Sequence, residues 1–135
     1  MSGVFLVIGS VFVFLAALVH LVIFFLESVF WSRPRIWKRF GVATQADADV
    51  LRPMAYNQGF YNVFLALGAG AGLVMIGSVN VQQAGVALSI FALLSMLLAS
   101  IVLITSNPRL ARAALVQGGF PVLGIVFLVI ALTAG

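Results

Sequence analysis

Few residues in this chain have the means to do chemistry, and they gather on three apolar segments. His20, the single histidine, and Glu27 stand seven residues apart, about two helical turns, or roughly 10 Å along an axis. The run Met54-Ala55-Tyr56-Asn57-Gln58-Gly59-Phe60-Tyr61-Asn62 opens the second segment, and Gln117 lies on the last. At helical spacing Asn57 sits above Tyr61, and Gln58 above both Tyr61 and Asn62. An acid and an imidazole able to exchange a proton, with amides and a phenol to orient the polar end of a bound molecule, are the parts of an acid/base site. Lipid satisfies none of these groups, so they are expected to look inward at partners, water or a ligand. The expectation is one cavity lined by His20, Glu27, Asn57, Gln58, Tyr61, Asn62 and Gln117, with Arg109 or Arg112 near its mouth. His20 and Glu27 are the catalytic candidates and the others the ligand-binding ones.

Each member also has a plainer reading. His20 could stay neutral and bond a serine or amide on a neighbouring helix, and Glu27 could pair with Arg33, Arg52 or Arg109. Any single amide is better explained as interhelical glue. So many polar groups from three segments in one half of a membrane are harder to explain that way, because glue rarely needs as many. The small-residue stripes read as packing, and Trp31 and Trp37 as interfacial anchors.

Composition says what must position these groups. Of 135 residues 64% are hydrophobic and 7% charged, with a mean hydropathy of +1.25. Seven basic and three acidic residues cannot supply the polar surface of a soluble domain this size. An all-α, polytopic membrane protein follows, a single transmembrane domain over residues 1–135. Spans of about 20 apolar residues fit four times, near residues 3–31, 53–76, 84–104 and 113–133. The first apolar run is too long, and lacks the basic start and cleavage motif, for a secretory signal, so it reads as a retained span. With no cysteine, disulfides, thiolate metal sites and cysteine nucleophiles are excluded. One histidine leaves too few ligands for a metal site, and no cofactor motif is present, so neither metal nor cofactor is expected. The net charge of +4 flanks membrane segments, so it reads as topology rather than as nucleic-acid binding.

The connections carry further signals. Arg33, Arg35, Lys38 and Arg39 alternate with Ile36, Trp37 and Phe40, which reads as a short helix lying on the membrane face of the first loop. Thr44 with Asp47 has the form of a capping box and predicts a helix start near Gln45 that continues past Pro53. Gly68 and Gly72 share a face open to close approach by another helix. Gly85, Ser89, Ala92 and Ala99 form a second such stripe. Ser106-Asn107-Pro108 predicts a cap and a helix start. All seven basic residues fall in the first and third connections, so the positive-inside rule puts both loops in the cytoplasm and both termini outside.

On these residues the chain resembles a family of small four-span bacterial membrane proteins catalogued as domain of unknown function 1304. His20 through Glu27 and Trp31, Asn57-Gln58-Gly59 with Tyr61-Asn62, and Gln117-Gly118 with Pro121 carry the resemblance. It implies a four-helix transmembrane bundle, a polar constellation and a bacterial inner-membrane location, and no reaction.

Three functional readings follow. In the first, a cytoplasm-facing intramembrane pocket binds, and by acid/base chemistry could act on, a hydrophobic small molecule or lipid. The second is a small proton-coupled transporter, against which Glu27 lies shallow and the outer half shows no polar route. The third is an accessory or assembly subunit whose polar face docks a partner. Four short helices give a site little shelter, which favours an oligomer, a homodimer first. Membrane lipids are the expected surroundings.

Overall fold

The computed structural model describes residues 1–134. It is 87% helical, with four helices long and apolar enough to cross a membrane. The first, α1 (Gly3–Phe24), continues into a π turn over Phe25–Val29. A short helix α2 (Pro34–Trp37) and a 3₁₀ turn (Lys38–Phe40) follow, ending at Gly41 with φ 80°. Then come α3 (Gln45–Ile76), α4 (Gln82–Ser106), a 3₁₀ turn (Pro108–Leu110) and α5 (Ala111–Thr133). The four long helices form a ring: α1 packs on α3 and α5, α4 packs on the same two, and α1 and α4 face each other across the middle.

The two ends of the bundle differ in charge. The Ser2 amide donates to the Ala131 carbonyl at 3.0 Å, so the N-terminus and the end of α5 lie together. At the opposite end a Cβ placed on Gly41 would come within 3.5 Å of the Asn107 side chain, so the first and third connections are neighbours. All seven basic residues belong to this second end.

Helix boundaries follow the caps more than the hydropathy. The Thr44 hydroxyl accepts from the Asp47 amide at 3.1 Å and donates to the Asp47 carboxylate at 2.6 Å, so α3 starts at Gln45 and not at Pro53. Its 32 residues span about 48 Å, well beyond a hydrocarbon core of about 30 Å. The first turns of α3 lie at the basic end and form a wall there, with Ala48 and Ala55 turned towards the first connection. Trp31, Trp37 and Ile36 are buried, Trp31 and Trp37 in a small second core with Ala48 and Ala55 of α3, and the Trp31 indole donates to the Ala48 carbonyl at 2.9 Å. The reading of the two tryptophans as interfacial anchors is corrected accordingly. An indole with a wall of small side chains beside it buries more surface there than at a lipid boundary.

The main core is built on small residues. Val13, Ala16 and Ala17 of α1 meet Ala66 and Ala69 of α3, Leu93 and Met96 of α4, and Leu128 of α5. The closest approach joins α3 to α4. A Cβ on Gly85 would lie 2.6 Å from the Ile76 amide nitrogen and 2.8 Å from the Gly72 carbonyl, all backbone atoms. A Cβ on Gly68 would meet the Ala92 methyl at an ordinary 3.9 Å, so Gly72, and not Gly68, is the contact of that pair. On α4 the buried stripe runs Gly85, Ser89, Ala92, Met96, Ser100, while Ala99 is exposed.

Candidate functional site

The π turn decides how Glu27 is presented. An i→i+5 bond, in place of the i→i+4 bond of an α-helix, joins the Phe30 amide to the Phe25 carbonyl at 2.8 Å, and such bulges recur at functional sites. The π turn packs against α3. There Asn62 Nδ2 donates to Glu27 Oε2 at 3.1 Å and to the Gln58 carbonyl at 3.0 Å. Glu27 is half-buried and Asn62 buried. The partner of Glu27 is therefore an amide on α3, and none of Arg33, Arg52 or Arg109.

One residue on, Ser28 Oγ donates to the Tyr56 carbonyl at 2.8 Å, and Gly59 leaves room for it, because a Cβ there would collide with the Ser28 hydroxyl. Ser28 and Gly59 therefore set the distance between the π turn and α3. Sequence reasoning missed Ser28, and the π turn has no signature in residue spacing. Gly59 stood inside the polar run without a role. Phe24, Phe60 and Tyr56 stack edge-on or tilted along the same α1–α3 seam, with ring centroids 5.2 and 5.0 Å apart, and give it an apolar, aromatic border.

His20 is fully buried, one and a half turns deeper in α1 than the π turn. Its Nδ1 lies 2.9 Å from the Ala16 carbonyl of its own helix. A carbonyl only accepts, so Nδ1 carries the proton and Nε2 is left as an acceptor. Among the described residues Nε2 has no partner. His20 does not bond a serine or amide across the bundle.

The remaining residues divide. Gln58 lies one turn from Asn62 towards the basic end on nearly the same stripe, and is exposed. Buried Asn62 followed by exposed Gln58 makes a polar column that leads outward. At 100° per residue Asn57 and Tyr61 stand roughly 140° and 100° away from Asn62. Both are exposed, so they do not share the inward face with Glu27 and Asn62. Gln117 is half-buried on α5, and Arg109 and Arg112 are exposed at its basic end. Two grooves open on the flanks of the bundle, one beside Leu6, Ser10 and Ile76 and one between α4 and α5, and neither is lined by His20, Glu27 or Asn62. Among the described residues no three His, Asp or Glu side chains come together to hold a metal.

One family model matches residues 14–129, which takes in the whole polar constellation, the second half of α1 and most of α3, α4 and α5. The chain belongs to the family described as protein of unknown function (DUF1304). The same comparisons found no curated protein and no solved structure similar to it. Within this DUF1304 chain the candidate site is thus defined by its geometry: a carboxylate presented by a π turn, an amide that fixes it, and an imidazole acceptor deeper in the same half.

Proposed function

We propose that this is an integral membrane protein whose α1–α3 seam holds the polar end of a hydrophobic small molecule or lipid, with Glu27 and His20 as the acid/base pair. The observation that carries the reading is the Glu27–Asn62 bond. It fixes one carboxylate oxygen and, among the described residues, leaves Oε1 without a hydrogen-bond partner, at the head of a polar column that ends in exposed Gln58. A carboxylate so held is oriented to give or take a proton at a fixed point. The His20 acceptor, about 10 Å further along the axis, is sealed inside the bundle, and reaching it requires a short water chain to open into the core. The aromatic border of Phe24, Tyr56 and Phe60 suits a hydrophobic body. The basic end faces the cytoplasm and both termini lie outside, by the charge asymmetry of the connections.

The test is mass spectrometry of small molecules and lipids that co-purify with the protein. Glu27→Gln keeps an acceptor for Asn62, and His20→Ala removes the open nitrogen. Each is expected to lower retention of a bound amphiphile at least tenfold; Glu27→Gln keeps thermal unfolding in detergent near wild type, whereas His20→Ala, which empties a buried position, stays folded with a lower midpoint. Wild-type retention by both variants would sink the reading.

A second reading has its own observation. Asn57 and Tyr61 present an amide and a phenol on the flank of α3 away from the Glu27 seam, and such groups in a membrane call for a partner. That favours an assembly role through this flank, with a second copy as the first candidate. Disulfide trapping of Asn57→Cys between two copies would support it, and a monomer at all protein-to-lipid ratios would remove it.

A further inference from the structure

The groove between α4 and α5 lies apart from the Glu27 seam and has its own chemistry. Leu97, Ile101 and Ile104 of α4 face Leu115, Gly119 and Val122 of α5 across a furrow of about 220 Å³ that is open at the bundle surface. Its lining is almost wholly apolar. The α5 side runs from Leu115 to Val122 along the helix axis. Arg112, Leu115 and Gly119 form an i, i+3, i+7 stripe, so Arg112 stands over the end of the furrow nearest the basic end. Arg109 precedes it in the same connection. Both arginines are exposed.

Among the described residues none of the three acids bonds either arginine. Of the three, Glu27 bonds Asn62, Asp47 bonds Thr44 and Asp49 accepts from Gln45, all uncharged partners. A slot for a hydrocarbon chain that ends beneath an uncompensated guanidinium has the complement of an anionic phospholipid, acyl chain in the furrow and phosphate at the arginine. We infer that the α4–α5 groove is a binding site for an anionic phospholipid of the surrounding bilayer, with Arg112 as its headgroup contact. The site rests on the furrow and the charge, and not on the acid/base reading of Glu27.

Two substitutions separate chain from headgroup. Nothing lies within 4 Å of a Cβ on Gly119, so Gly119→Leu fills the furrow without disturbing the bundle. Val122→Trp blocks its far end as an independent second variant. Arg112→Gln removes the charge and leaves the furrow. The experiment is native mass spectrometry of the full chain in detergent, titrated with phosphatidylglycerol or phosphatidylcholine at equal concentrations. Wild type should bind one phosphatidylglycerol in preference to phosphatidylcholine. Arg112→Gln should lower that preference about fivefold, as expected for one basic residue at an anionic surface. Gly119→Leu and Val122→Trp should lose the bound lipid with thermal stability unchanged. Undiminished phosphatidylglycerol binding by both blocking variants means the groove is not the site, and a preference unaffected by Arg112→Gln means its occupant is not recognised by charge. Either result overturns the inference, and neither bears on Glu27→Gln.

Discussion

At the scale of single residues, one hydrogen at Gly59 governs the candidate site. The π turn comes close to α3 because position 59 has no side chain, and Ser28 fills the space with a bond to the Tyr56 carbonyl at 2.8 Å. A methyl at position 59 must push the Ser28 hydroxyl away and lengthen the Glu27–Asn62 bond with it. Gly59→Ala is therefore expected to destabilise the protein by roughly 1–3 kcal/mol through overpacking. Adding Ser28→Ala should restore part of the loss, because the nearest obstacle is the hydroxyl itself. Thermal unfolding of the four members of this double-mutant cycle measures the coupling. Simple additivity would mean that Ser28 and Gly59 do not meet.

At the scale of elements, the α3–α4 pair holds the bundle at its tightest point. Backbone meets backbone at Gly72 and Gly85, where added Cβ atoms would face Gly85 and Gly72 carbonyl oxygens at 3.0 and 2.8 Å. Neighbours of that kind cannot swing aside as a flexible side chain can. Gly72→Leu and Gly85→Leu should each cost about 3 kcal/mol or more, at the upper end for overpacking. Gly68→Leu should cost markedly less, since only the Ala92 methyl lies nearby. Unfolding midpoints in one detergent rank the three; equal losses for Gly68 and Gly72 would show that the contact is diffuse. The same element scale explains the first loop. Helix α3 is longer than a span requires, and α2 packs Trp37 beside its Ala48 while Arg35, Lys38 and Arg39 stay exposed.

At the scale of the whole molecule, charge and connectivity agree on two unlike ends. The absence of cysteine makes single-cysteine labelling clean. Ala43 and Val79 are exposed at opposite ends of the bundle. In intact cells an impermeant thiol reagent should react with Val79→Cys from outside, and with Ala43→Cys only after the membrane is opened. The reverse pattern would invert the orientation, and with it the side from which Gln58 and Glu27 are approached.

The sequence by itself determined the class of the molecule, its four spans and the charge difference between its ends. These depend on properties summed over twenty or more residues, hydropathy and net charge, which survive local error. It also marked the start of α3, because a capping box is a contact between residues three apart. Tertiary structure alone decided which polar groups meet. Asn57, Gln58, Tyr61 and Asn62 are adjacent in the chain, yet a helix of 3.6 residues per turn distributes them around its circumference, and only packing decides which part of that circumference faces α1. The π turn adds one residue to a single turn of α1 and so changes the direction of Glu27. No periodicity records such an insertion, and the contacts that accompany it, Ser28 against Gly59 and the Tyr56 carbonyl, lie on another helix. The tryptophans were misread for the same reason: the wall that buries them is built from Ala48 and Ala55, residues with no signal of their own until the fold sets them side by side.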